Sequence, residues 1–263
     1  MTKYEQWKAK PARFLAMTGY RIAHFEELLP YFRQAHQDYF SYFKLNGKPH
    51  KKGYHKYTIY RNSPLPTVEE RLVFILSYLK LNPLQEQHAD TFAMNQAQCN
   101  QFVHALNLVL DESLKTYGAM PAENGKTLEK HLDHHPKLLH DGTEREVPRP
   151  VDHDRQEEHY SGKKKKHTVK NTVITDMVGV VLVLTTTLCG NVHDKKIADT
   201  QYTIPKGYEL WQDTGYQGYA PEGVALVQPM KKPRGKELTQ EQKASNREIS
   251  SVRVSVEHFI GSI

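Results

Sequence analysis

Apolar positions along this chain recur with a helical period in the first half and with a strand-like one in the second. Ile22, Phe25, Leu28, Leu29 and Phe32 return every three or four residues, which predicts a helix near 21–35. The basic, glycine-containing text "KLNGKPHKKGYHKY" that follows reads as a loop. Thr67, with Glu70 three residues on, has the pattern of a capping box, and Leu72, Ile75, Leu76 and Leu79 then share one helical face up to Asn82–Pro83. A second helix, "LQEQHADTF", a short turn, "AMNQ", and a third helix, "AQCNQFVHALNLVLDESL", complete the layout of a helix-turn-helix. Base-reading positions would then fall early in the last helix, at Gln96, Gln98, Asn100 and Gln101, whose amides can pair with adenine edges in the major groove. A plain three-helix bundle with solvated amides fits the same pattern.

Beyond a Gly-, Pro- and Asn-containing stretch the segments shorten. "KLLHDG" predicts a strand that ends in Asp141, and "HTVKNTVITD" a second strand. "VVLVLTTTL" is apolar without alternation and predicts a third strand, buried on both faces. "HDKKIADTQY" is a short helix, "YELWQD" a fourth strand ending in Asp213, "GVALVQP" a fifth, and "LTQEQKASNREISSVRVSVEHFI" a long polar helix. The expected organisation is an N-terminal helical and basic region over 1–60, a helix-turn-helix domain over 61–120, a linker over 121–135 and a mixed α/β domain over 136–263.

Composition narrows the class. The net charge is +6 and the pI about 9.0, a balance that suits an anionic partner such as nucleic acid or a membrane surface. The longest apolar run, Val178–Leu184, is too short to span a bilayer, and the N-terminal text lacks the apolar core of a signal peptide. The two cysteines, Cys99 and Cys189, lack metal-type spacing, so the expectation is an intracellular protein with reduced thiols.

Three separated acids supply candidate chemistry. Asp141 and Asp213 end short apolar strands, and Glu257 lies on the last helix. Oxygen ligands converging from strand ends suit hard cations such as Mg²⁺ or Mn²⁺, and two such ions can clamp the attacking and leaving oxygens of a phosphoryl transfer. Both aspartates equally suit turns, being followed by Gly or Thr-Gly. His131, His134, His135 and His140 lie close enough in sequence for zinc, but no cysteine accompanies them.

Five segments in order, "HDGTEREVPRP", "YSGKKKKHTVK", "GNVHD", "LWQDTGYQGY" and "SNREISSVRVSVEH", resemble the motifs of bacterial insertion-sequence transposases of the DDE superfamily, in the insertion-sequence-five branch related to Harbinger transposases. With the upstream helices, the resemblance covers roughly residues 60–263. It implies an RNase H-like mixed sheet with flanking helices, preceded by an all-α helix-turn-helix region. It also implies Asp141, Asp213 and Glu257 as the catalytic, metal-holding acids of a two-ion site for Mg²⁺ or Mn²⁺. The implied reaction is cleavage at inverted-repeat ends followed by strand transfer. Its partners are double-stranded DNA and a second copy of the chain, because two ends must be brought together. The expected location is the bacterial cytoplasm, at the nucleoid, with no membrane.

The same match makes Lys163, Lys164, Lys165, Lys166 and Lys170 candidate phosphate contacts, against the alternative of a solvated charge run. "KKPRGK" (231–236) is a weaker candidate of the same kind. Arg253 is a candidate DNA contact, or half of a surface pair with Glu257, and Arg247 shares its helix. His193, Asp194 and His258 are expected beside the metal ligands. Tyr216 and Tyr219 either stack on a splayed base or pack inside. The chain stops six residues after Glu257, which reads as an incomplete C-terminal helix. A truncated, inactive transposase acting only as a sequence-specific DNA-binding repressor is therefore the alternative function. A metal-dependent repair nuclease is a third.

Overall fold

The computed structural model describes residues 1–122, 136–232, 235 and 237–260, with 256–260 described for the backbone alone. The chain divides into two compact units, 1–120 and 121–263.

The first unit is helical: α1 (Lys3–Lys8), α2 (Pro11–Thr18), α3 (Ile22–Tyr42), α4 (Val68–Leu81), α5 (Gln85–Thr91) and α6 (Gln96–Tyr117). Helix α3 runs a further two turns past the expected end at 35, because His36 and Phe40 continue the buried face begun by Phe25, Leu28 and Phe32. Helix α4 is buried over Leu72–Ser77, whereas Leu79, expected on its apolar face, is 52% exposed. Asn82 closes α4 in the left-handed conformation (φ +44°), and Pro83 cannot continue the helix.

Half of the expected capping box forms. Thr67 Oγ1 accepts from the Glu70 amide at 3.1 Å, but the Glu70 carboxylate turns away and accepts from the Lys3 and Tyr4 amides at 2.9 and 2.8 Å. Glu70 thus caps α1 from 66 residues away. A single core, from Trp7 and Phe14 through Phe32 and Phe74 to Leu110, serves the whole unit and runs across the boundary expected at 60. Burying each such side chain contributes about 2 kcal/mol.

The second unit contains β1 (Lys137–Glu146), α7 (His153–His159), β2 (Tyr160–Ser161), β3 (Lys166–Asp176), β4 (Val181–Leu184), β5 (Leu188–Cys189), α8 (Asp194–Gln201), β6 (Glu209–Gln212), β7 (Ala225–Val227) and α9 (Gln240–Ile260). The sheet is mixed: β2, β3, β1, β6 and β7 lie side by side, with β4 and β5 also on β3. β1 pairs antiparallel with β3 and parallel with β6, and β6 pairs parallel with β7. Fold class and sheet type match the mixed α/β expectation, with helices flanking the sheet.

Four details differ from the sequence reading, the first being that β1 does not end at Asp141 but continues to Glu146, because β3 keeps pairing with it as far as Thr168. The third strand is not one buried element: Thr185 takes the Thr172 amide onto its Oγ1 at 2.8 Å, and the ladder breaks into β4 and β5. Val180 and Leu184 are exposed there, at 51% and 38%. Helix α7 and strand β2 are additions that the apolar pattern does not announce. Asp152 starts α7 by accepting from the Arg155 amide at 3.0 Å. No described helix is long and apolar enough to cross a membrane. The expected linker lies outside the described residues from 123 to 135, as do His131, His134 and His135.

Candidate active site

The register of β1 against β6 makes the site. His140 is level with Gln212 across the parallel pair, so Asp141 and Asp213 each follow the last paired rung, side by side. Asp141 lies within β1, level with Val173 of β3, and the strand runs on past it to Glu146, whereas Asp213 ends β6 and turns the chain. Asp141 Oδ1 accepts from the Gly142 amide at 2.9 Å, and Asp213 Oδ1 accepts from the Thr214 amide at 2.5 Å, starting a 3-10 turn over Thr214–Tyr216. Gln228 fixes the Asp213 carbonyl from beyond β7 at 2.5 Å.

Helix α9 brings a cation to both acids. Arg253 Nη2 is 3.6 Å from Asp141 Oδ1, and Nη1 is 3.8 Å from Asp213 Oδ1, with the arginine side chain 13% exposed. Its Nε is buried without a hydrogen-bond partner among the described atoms. Arg253 therefore bridges the two acids, where the sequence suggested a DNA contact or a surface pair. Glu257 follows one helical turn later on α9. The side chains of Glu257 and His258 lie outside the described residues.

Beneath the acids is an apolar and aromatic layer. His140 is fully buried, hydrogen-bonded to Tyr202, and 3.8 Å ring to ring from Tyr216. Burial holds its pKa down at about 3, so the ring is neutral. Tyr216 and Tyr219 are 1% and 6% exposed and pack around His140, so base stacking is overturned for both and the packing alternative holds. Desolvation drives the Tyr216 hydroxyl far above its ordinary range, and the charges of Asp194, Asp141 and Asp213 add to the effect.

Asp194 is therefore close to both acids. Its carboxylate would stand 3.9 Å from a Cβ placed on Gly142, the strand residue after Asp141, and 3.1 Å from one on Gly215, in the turn after Asp213. Lys170 pairs with Asp194 at 3.3 Å and donates to the Val192 carbonyl at 3.1 Å. It is half-buried there, apart from the other lysines. His193 is exposed and caps α8, accepting from the Lys195 amide at 3.3 Å.

Lys163, Lys164 and Lys165 occupy the exposed turn between β2 and β3. Ser161 closes it, its Oγ accepting from the Lys164 amide and its carbonyl from the Lys165 amide, and Lys165 takes φ +57°. Lys166 enters β3 and pairs with Glu146 at 2.7 Å. A cleft of about 610 Å³, lined by Gly162, Lys163, Lys170, Asp194, Asp213 and Thr214, joins this turn to Asp213. The stretch 231–236 lies partly outside the described residues, and Arg247 is exposed on α9.

In the helical unit, Gln96 and Asn100 both donate to the Gln85 side-chain oxygen at 3.1 Å. Those two amides tie α6 to α5, whereas Gln101 is exposed and Gln98 half-buried. Among the described residues one other group has metal-binding potential: Glu158, His159 and Cys189, whose ligand atoms lie within 4.8 Å of one another. It includes none of the expected acids.

Residues 140–263 match the family model described as DDE superfamily endonuclease. The chain is also 25% identical over 196 residues to the probable transposase for insertion sequence element IS702 of Microchaete diplosiphon, covering 74% of this chain and 69% of that protein. No solved structure gives a significant match. The first likeness is to the DDE superfamily and the second to an insertion-sequence transposase, the same two features that the sequence motifs resemble.

Proposed function

We propose that this chain binds the inverted-repeat ends of an insertion sequence and catalyses metal-dependent end cleavage and strand transfer. The observation that carries the reading is that Asp141 and Asp213 lie side by side, each one residue past the last rung of the parallel β1–β6 pair. Glu257, on the helix whose Arg253 reaches both acids, is the third carboxylate. An RNase H-like reading is supported by a central β1 that is antiparallel on one side and parallel on the other.

Carboxylate oxygens on adjacent strands fit hard divalent cations, and Asp141, Asp213 and Glu257 would hold Mg²⁺ or Mn²⁺. The bound ions would lower the pKa of an attacking water and offset charge on the phosphoryl oxygens. The chain's own residues do the rest. The Gly142 and Thr214 amides hold the two carboxylates in place. The buried tyrosine and histidine layer keeps water from beneath them. The cleft from Lys163 to Asp213 is the path for the DNA backbone, with the lysine turn positioning phosphates without reading bases. The exposed Gln101 and the start of α6 are the surface for base reading, and the active species is a dimer.

The test is nicking of an end-containing duplex by the purified chain with Mg²⁺ or Mn²⁺. Asp213→Asn should abolish nicking and leave binding intact. A wild-type chain that binds ends but never nicks would instead be a repressor.

A further inference from the structure

The helical unit contains a cavity of about 700 Å³ that the chemistry above does not use. Its outer wall is the segment between α3 and α4, and Phe40 of α3 and Phe102 of α6 close its inner side. Arg71 lines it from α4 and is 2% exposed. The guanidinium donates from Nε to the Leu65 carbonyl at 3.3 Å and from Nη1 to His36 Nε2 at 2.6 Å. Its centre lies 5.2, 5.6 and 5.5 Å from the rings of Phe40, Tyr57 and Phe102. These partners are a carbonyl, a neutral imidazole, three ring faces and the Tyr57 hydroxyl. None is an acid, and among the described residues no Asp or Glu lines the cavity.

A buried guanidinium is costly unless its charge is answered, and ring faces answer only part of it. The rim adds positive charge, with exposed Lys44, Lys51 and Lys52. Exposed aromatic surface continues outward through Phe43 and Tyr60, at 40% and 71%. A bare anion would satisfy the charges and leave the rings uncovered. A neutral aromatic molecule would do the reverse.

We propose that this cavity receives a nucleotide turned out of a DNA strand. The base stacks among Tyr57, Tyr60 and Phe102, with an acceptor-bearing edge toward Arg71, and the phosphate rests on Lys44, Lys51 and Lys52. A guanidinium offers donors only, so it selects a base edge rich in acceptors, such as the O6 and N7 of guanine. The volume falls within the range of pockets that enclose a molecule of this size. Extruding a base costs unstacking, which contacts of this kind offset. The proposal rests on the DNA-binding reading above and adds a site in the helical unit.

The test is calorimetric titration of the full chain, in EDTA, with dGMP, with deoxyguanosine and with inorganic phosphate. The expected result is dGMP binding at least tenfold tighter than either fragment. The exposed-rim double variant Lys51→Ala/Lys52→Ala should weaken dGMP about tenfold. Tyr60→Ala should weaken dGMP and leave phosphate unchanged. These side chains are exposed, so loss of folding does not confuse the result, whereas Arg71→Met is read only if its melting curve stays cooperative. Equal affinity for dGMP and phosphate, or no dGMP binding by a chain that still binds duplex ends, overturns the cavity proposal and leaves the function reading standing. Failure to bind duplex ends is a separate result, against the function reading.

Discussion

Replacing Arg253 by Ala removes the one described cation that bridges the two acids, and the consequence can be worked out. At 3.6 and 3.8 Å, each contact has a gross attraction of about 4 kcal/mol at an effective dielectric of 20. Asp213 is 38% exposed, so water screens the second contact, and the desolvation of the guanidinium opposes both. A net loss of about 2 kcal/mol remains, made up largely of two carboxylates left facing each other. For a unit of this size that lowers Tm by roughly 4–8 °C. The two tryptophans separate the units, because Trp7 lies in the helical core and Trp211 on β6. Melting followed by Trp211 emission in a Trp7→Phe background therefore reads the second unit. Adding Mn²⁺ should restore more stability to Arg253→Ala than to the parent, because no guanidinium competes for the carboxylates. A tenfold gain in affinity would add about 1.4 kcal/mol. A Tm within about 1 °C of the parent, or equal Mn²⁺ shifts in both proteins, would refute the idea that Arg253 balances these acids.

Other predictions follow from single contacts. A Cβ on Gly190 would lie 2.1 Å from Thr168 Oγ1 and 2.7 Å from the His159 carbonyl, so Gly190→Ala should cost about 2–4 kcal/mol in urea melts read by Trp211, while the helical unit is unaffected. Glu70→Gln keeps the shape but weakens the cap on α1, and should lower the stability of the helical unit by about 1–2 kcal/mol, read by Trp7 emission. His140 is held neutral with a pKa near 3, against 6.5 for the free side chain, so between those values the unfolded chain binds the extra proton. Its contribution is therefore fully present above pH 6.5 and is lost as pH falls toward 3, at up to about 1.4 kcal/mol per pH unit. His140→Gln should flatten that part of the Trp211 stability profile. Substituting Lys163, Lys164 and Lys165 by Ala should reduce the slope of log affinity for duplex DNA against log salt by about 0.9 for each phosphate the turn no longer neutralises, and an unchanged slope would remove the turn from the DNA path.

The parts of the fold that were legible in the sequence rest on local signals. The spacing of Phe25, Leu28 and Phe32, the cap at Thr67 and the stop at Asn82–Pro83 all act within a few residues. The same holds for Asp213 at the end of β6, but not for Asp141, whose strand runs on to Glu146 because β3 keeps pairing beyond it. What escaped depends on distant partners. Glu70 looks like half of a capping box, yet its carboxylate serves α1, because the tertiary fold brings two free amides closer than its own. Thr185 breaks an apolar run by bonding across to Thr172. Arg253 and Glu257 have the spacing of a surface pair, and only the docking of α9 on β1 and β6 shows the guanidinium turned toward two strands. Tyr216 and Tyr219 follow glycines in a loop-like motif, and nothing local shows that His140 draws both inside.

The long antiparallel pairing of β3 with β1 also sets a length. Val173 is level with Asp141, and Lys166, at the foot of the lysine turn, lies seven residues along the same strand. At about 3.4 Å per residue that is at most ~24 Å, the rise of about seven base pairs. In the proposed complex β3 is a gauge. Whatever duplex the turn grips, the grip falls within one helical turn of the bond being cut, so the reach of the backbone hold is fixed by strand length and not by DNA sequence.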